Sequence, residues 1–185
     1  RELRAFHDIA DSLEASKRLV IPMAHFKAIG GSSLTDPELK VPLSGIEENV
    51  VPTTYVPFRN ANLFSAAVSW AEVIGAEKVF VGINQMDSSG YPDCTSDFLN
   101  AFNRIVVCGT RPETKIEVVA PLLDMTKANI VETGVSLKAP LSRSWSCYKN
   151  SEVACGVCDS CRLRLDGFKQ AGVEDPIEYE TRLES

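Results

Sequence analysis

The sequence predicts an α/β fold, a parallel sheet with flanking helices followed by a small cysteine-bearing helical segment. Three observations carry this expectation. Stretches of helical period alternate with short apolar runs of strand length. No two-residue hairpin turn joins those runs, which favours parallel strands linked by crossovers. Four of the six cysteines crowd into residues 147–161, outside the alternating region. The expected boundary lies near residue 140, with an α/β domain over 1–140 and the cysteine segment over 141–185.

Residues 1–17 place Leu3, Phe6, Ile9, Ala10 and Leu13 on one helical face. Residues 18–22 read as a short strand stopped by Pro22. A helix leading straight into a strand suggests that the chain enters its fold partway. Residues 30–54 look irregular, with Gly30, Gly31, Pro37, Pro42 and Pro52; a loop this long in a compact domain is usually functional or mobile. Residues 51–56 form a possible extended piece. Residues 58–75 are the clearest helix, with Leu63, Phe64, Ala67, Val68, Ala71 and Ile74 on one face and Gly75 as its stop. Residues 78–83 are almost continuously apolar, as in a strand covered on both faces. Residues 97–108 are helical, 116–121 a second strand, 126–134 a short helix capped by Thr126, and 159–171 the last helix.

Composition narrows the function. The chain has 185 residues, 44% hydrophobic and 24% charged, enough for a real core. No run approaches the ~20 apolar residues of a membrane helix, and the first residues carry no apolar signal segment. The net charge of −6 disfavours direct nucleic-acid binding, which calls for a basic surplus; a small-molecule substrate fits better. His7 and His25 stand in helical or strand-edge contexts that suggest no catalysis.

Cys147-x7-Cys155-x2-Cys158-x2-Cys161 brings four thiols within reach of one ion, with Gly156 relaxing the turn between two of them. Four thiolates in a tetrahedron make a closed, structural zinc site. An iron–sulfur cluster uses related spacing, and free or disulfide-bonded cysteines are the remaining alternative. Without a secretion signal a metal in a reducing cytosol is favoured, and the expected location is cytoplasmic.

Three polar stretches are candidates for chemistry. Arg59 and Asn60 begin the long helix, where a cation beside a helix N-terminus can meet a carboxylate or phosphate; a solvated arginine and a capping asparagine are the plainer alternative. Residues 84–94 leave the carboxyl end of a strand, where α/β sheets bind ligands, and hold Asp87, Tyr91, Asp93 and Cys94. Lys127 follows the Thr126 cap, against the helix dipole unless it serves an anion. Trp145 is better explained as packing for the cysteine loop than as a stacking platform.

Val56-Pro57-Phe58-Arg59-Asn60, Asp87-Ser88-Ser89-Gly90-Tyr91-Pro92-Asp93-Cys94, Ala101-Phe102-Asn103-Arg104, Thr126-Lys127-Ala128-Asn129-Ile130-Val131, Trp145-Ser146-Cys147-Tyr148 and Ala154-Cys155-Gly156-Val157-Cys158-Asp159-Ser160-Cys161 occur in that order. Together they resemble the QueC/ExsB family, the 7-cyano-7-deazaguanine synthases of queuosine biosynthesis. Ile29-Gly30-Gly31-Ser32-Ser33-Leu34-Thr35 also resembles that family's mobile loop. The resemblance implies an adenine nucleotide alpha hydrolase-like fold (a Rossmann-like PP-loop ATPase), a nucleotide-binding role for residues 1–140, and a homodimer. It implies ATP, Mg²⁺ and a structural zinc on Cys147, Cys155, Cys158 and Cys161. It also implies conversion of 7-carboxy-7-deazaguanine and ammonia to the nitrile through an acyl-adenylate and an amide. The family's Ser-Gly-Gly-x-Asp-Ser loop, which cradles pyrophosphate, does not occur in this sequence, and Gly30-Gly31-Ser32-Ser33 does not replace it. An N-terminally incomplete chain is therefore expected.

Carboxylate activation builds up negative charge, so Arg59 and Lys127 are the expected catalytic cations. Asp87 or Asp93 could accept from the amidine edge of a guanine-like base, with Tyr91 stacking and Asn60 nearby in the substrate site. Cys94 fits a pocket wall better than a nucleophile. Another PP-loop adenylating enzyme, such as one acting on tRNA, and a non-catalytic zinc-stapled binding module are the alternatives.

Overall fold

The computed structural model describes residues 1–41, 50–86 and 90–181. Asp87 and Pro42 lie outside the described residues. By their contacts the described residues fall into two compact units. One comprises the described parts of Arg1–Pro22, Glu38–Ile46 and Thr126–Ser185; the other comprises those of Met23–Pro37 and Glu47–Met125.

The second of these holds the sheet. Strand β1 (Lys78–Phe80) runs parallel to β2 (Glu117–Val119), with Val79 opposite Val118. Helix α3 (Arg59–Ile74) and helix α4 (Ser96–Gly109) pack over one face. Phe64 of α3 meets Phe102 of α4 edge to face, ring centroids 5.4 Å apart. With Val68, Val106, Ile83, Val118 and Leu123 they form the core. Gly75 ends α3 in a left-handed conformation (φ 72°, ψ 30°), which glycine adopts without steric cost. Thr95 Oγ1 accepts from the Phe98 N–H at 3.2 Å and caps α4. Asn103 closes one sheet edge: its Nδ2 donates to Val118 O at 2.9 Å, and its Oδ1 accepts from the Val118 N–H at 2.8 Å. A strand edge that would otherwise present unpaired amides is thereby satisfied by a side chain. Cys108, on the outer side of α4, is exposed.

The other unit carries helices α1 (Glu2–Ser12), α5 (Lys127–Ser136) and α6 (Asp159–Gln170), besides α2 (His25–Ile29) in the sheet unit. Helices α5 and α6 pack closely, because Gly167 lets α6 approach; a Cβ there would lie 2.7 Å from Lys127 Cβ. Arg143 Nη1 donates to Asp8 O at 3.2 Å and holds α1. Residues 141–181 thus share a unit with α1 and α5.

The expected parallel α/β pairing is present, and several boundaries are corrected. Residues 18–22 form no strand among the described residues, and Leu19, Val20 and Ile21 are exposed; apolar content alone does not supply a partner strand. Within residues 51–56 there is a turn at 53–54, with the Tyr55 N–H donating to Pro52 O at 2.9 Å. Helix α1 stops at Ser12, five residues early, where Leu13 caps it. His25 opens a short helix, one of the two contexts expected for it. Strand β1 is not covered on both faces: Val79 faces the helices, while Lys78 and Phe80 are exposed. A continuous apolar run hides the period-two alternation that would have shown this.

Candidate active site and metal centre

Helix α3 begins abruptly. Phe58 sits in the left-handed region (φ 56°, ψ 28°) with its side chain 63% exposed, a conformation that costs a residue with a Cβ about 1–2 kcal/mol. Three bonds hold it. The Phe58 N–H donates to the Tyr55 hydroxyl at 3.0 Å, and Phe58 O accepts from Asn62 Nδ2 at 2.9 Å and from the Asn62 N–H at 3.3 Å. This turn at Phe58 lets Arg59 enter the helix one residue later.

Asp93 supplies the missing cap from a distant segment. It lies in a single 3₁₀ turn, Pro92–Cys94, just before α4, and is 4% exposed. Its Oδ2 accepts from the Asn60 N–H at 2.9 Å. Asn60 Nδ2 in turn donates to Asp93 O at 3.0 Å and to Cys94 Sγ at 3.3 Å. A carboxylate here satisfies a first-turn N–H and suits the positive end of the dipole. Burial and the Asp93 charge push the Cys94 thiol up from its ordinary value; the Asn60 amide, Arg59 and the Asn84 N–H pull it the other way without prevailing. Cys94 is therefore a buried thiol among polar neighbours.

Tyr91 adjoins this cluster. Its hydroxyl shares a 2.7 Å hydrogen bond with Thr54 Oγ1, and its ring lies 5.8 Å from that of Tyr55. Asn84, four residues past the end of β1, is buried and donates to Leu122 O at 2.7 Å and Met125 O at 2.6 Å. Gln85 bridges Asp124 and the Ser96 N–H. The carboxyl ends of both strands and the start of α4 are thus tied to one another.

Of the expected residues, Arg59, Asn60, Tyr91 and Asp93 come together in the sheet unit. Lys127 belongs to the other unit, as the first residue of α5. Asp87 lies outside the described residues. Sequence reasoning missed Thr54 and Tyr55. Asn84 opens the 84–94 stretch already read as a candidate; Thr54 and Tyr55 carried no signal, because their contacts with Tyr91 join residues 37 and 36 apart and the Tyr55 bond to the Phe58 N–H depends on a left-handed turn.

The cysteines form a second site. The sulfurs of Cys147, Cys155, Cys158 and Cys161 all lie within 4.8 Å of one another, and Cys155 Sγ and Cys161 Sγ are 3.9 Å apart. Tetrahedral zinc–thiolate bonds of about 2.3 Å give sulfur–sulfur edges near ~3.8 Å, and a disulfide needs ~2.05 Å, so the cluster fits a structural metal such as zinc. Backbone N–H groups of Asn150 and Cys155 donate to Cys147 Sγ at 3.3 and 3.4 Å, and that of Cys158 to Cys155 Sγ at 3.4 Å. Such donors offset thiolate charge. The Cys161 thiol draws its neighbour Cys158 down to about 4 against the effect of burial, while the Cys158 thiolate and burial push Cys161 up. Four sulfurs this close ionise together only around a cation. Trp145 packs on the cluster and donates its indole N–H to Cys147 O at 3.2 Å.

The profile of the family described as "Queuosine biosynthesis protein QueC" matches residues 1–172. A 7-cyano-7-deazaguanine synthase of Chlorobium chlorochromatii is 56% identical over 98% of this chain and 80% of its own length. The synthase of Chloroherpeton thalassium is 53% identical over the same shares. That of Nautilia profundicola is 50% identical over 98% of this chain and 82% of its own length. With a profile match over nearly the whole chain and relatives at half identity or more, this chain belongs to the QueC family of queuosine biosynthesis proteins.

Proposed function

We propose that this chain performs the ATP-dependent conversion of 7-carboxy-7-deazaguanine and ammonia to 7-cyano-7-deazaguanine in queuosine biosynthesis. One observation carries the reading: the 56% identity, over 98% of the chain, to a relative named for that product. The proposed architecture is that of the PP-loop ATPases, with Mg²⁺-bound ATP and a homodimeric assembly.

In this reading ATP activates the substrate carboxylate with loss of pyrophosphate, and ammonia displaces AMP to give the amide. A second ATP adenylates the amide oxygen with loss of pyrophosphate, and departure of AMP together with the amide N–H protons breaks the C–O bond and yields the nitrile. Arg59 and Lys127 are the cations proposed to meet the anionic groups. Asn60, Asp87, Tyr91 and Asp93 are proposed for the deazapurine. Two features support the sheet-unit part of this set: the rigid tie between Asp93 and the start of α3, and the position of residues 84–94 after a parallel strand, where such sheets bind ligands.

The test uses protein expressed from the intact gene, mixed with 7-carboxy-7-deazaguanine, ammonium, Mg²⁺ and ATP, with products read by mass spectrometry. Nitrile product is expected. Folded, metal-loaded protein that leaves the acid unchanged would overturn the proposal, and amide without nitrile would reduce it to a carboxylate amidation.

A further inference from the structure

We propose that residues 175–181 form a latch over the metal-binding loop, and that Arg164, Asp175 and Tyr179 are positioning residues that set how fast the metal leaves. The proposal rests on reading the four cysteines as a zinc site. The latch lies beyond residue 172, where the match to the family profile ends.

The latch joins the loop beside one of its ligands. Ala154 pairs in parallel with Tyr179: the Ala154 N–H donates to Glu178 O at 3.2 Å, and the Glu180 N–H donates to Ala154 O at 2.8 Å. Cys155 is the next residue. Gly156 follows in the left-handed region (φ 75°), and a Cβ built there would lie 1.7 Å from Thr181 O. No side chain fits between loop and latch, so the two backbones lie flush.

A buried ionic network holds the latch from the other side. Arg164 lies on α6, three residues after Cys161. Its Nε and Nη2 grip the Asp175 carboxylate at 2.7 and 2.9 Å. The Tyr179 hydroxyl donates to Asp175 Oδ2 at 2.7 Å, and the Ile177 N–H to Oδ1 at 3.3 Å. Arg164 Nη1 also donates to Ser144 Oγ at 2.7 Å, and the guanidinium lies 5.2 Å from the centroid of the Phe168 ring. Asp175 is thus the common anchor of both ends of the latch and of the helix that carries Cys161. Bidentate, desolvated pairs of this kind fix geometry more than they add stability.

The consequence is cover. Ile177 and Tyr179 pack against the cysteines, whose residues are 0–5% exposed. A competing ligand must reach a sulfur before zinc can leave, and lifting the latch uncovers Cys155 and Gly156. Release should therefore follow latch opening rather than unfolding of the whole unit.

The test measures zinc content by elemental analysis and then the rate of zinc transfer to an excess of a chromophoric chelator, using the intact protein. Parent protein without zinc would overturn the reading of the site itself, whatever the latch does. Tyr179→Phe removes one hydroxyl and keeps the ring and the Arg164–Asp175 pair; transfer about tenfold faster is expected, as for loss of one hydrogen bond to a charged group. Gly156→Ala should accelerate transfer further, since the added methyl drives the latch off. Glu152→Gln, which removes an exposed ion pair with Arg4 on the same loop, should leave the rate unchanged. Transfer at the parent rate from Tyr179→Phe overturns the latch, as does equal acceleration by Glu152→Gln; if Gly156→Ala does not fold, the Tyr179→Phe comparison decides.

Discussion

Asp93 combines two features that substitution can separate: a neutral acceptor suffices to cap α3, whereas a charge is needed to grip an amidine edge. Asp93→Asn keeps an oxygen for the Asn60 N–H and loses the charge. If Asp93 also binds the deazapurine as proposed, the KM for 7-carboxy-7-deazaguanine should rise about tenfold or more, as for a lost charge-assisted hydrogen bond, with the melting temperature nearly unchanged. Asp93→Ala removes cap and charge together and should also lower stability by about 1 kcal/mol. An Asn variant with the parent KM would leave Asp93 as a cap alone. The expectation of a ligand carboxylate at Asp93 or Asp87 came from their place in the loop after a strand and from the family resemblance. The burial of Asp93 was not legible, because the N–H it satisfies lies 33 residues earlier in the chain. The cysteines show the contrary case: their short spacing sufficed to bring four sulfurs into one cluster, since local geometry rather than tertiary contact sets their separation.

At the scale of the element, α3 shows what sequence patterns do and do not carry. Its apolar face and its glycine stop were readable to within one residue at each end, because both are local. Its start depends on a strained Phe58 held by Tyr55 and Asn62, a device no pattern announces. Replacing Phe58 by Gly removes the Cβ conflict at φ 56° without touching the backbone bonds. The variant should melt about 2–4 °C higher in calorimetry, the shift expected for about 1 kcal/mol in a chain of this size. A lower melting temperature would mean that the exposed ring contributes more than the strain costs. Strand β1 is the opposite lesson: its existence was legible and its one-sided burial was not, since Val79, Phe80 and Val81 follow one another with no polar residue to mark the alternation that separates the faces.

For the whole molecule, the division into two compact units predicts that metal removal acts unevenly. A chelator strong enough to strip the cysteines should lower the melting of the unit that holds α1, α5 and α6, and leave the transition of the sheet unit near its original temperature. A single transition shifting as a whole would show that the units melt as one. Sequence reading placed the cysteine segment at 141–185 but did not foresee that α1 and α5 share its unit, because helix-to-helix packing through Gly167 depends on a close approach between segments 40 residues apart.

Cys108 stands apart from the other five thiols. They are buried, four of them in the 147–161 cluster, and it faces outward from α4. In a metal-loaded preparation it is the sulfur that a maleimide reaches first, which gives one addressable point on the sheet unit for a dye or spin label. The same exposure makes it the sulfur through which two copies would most readily cross-link during storage in air.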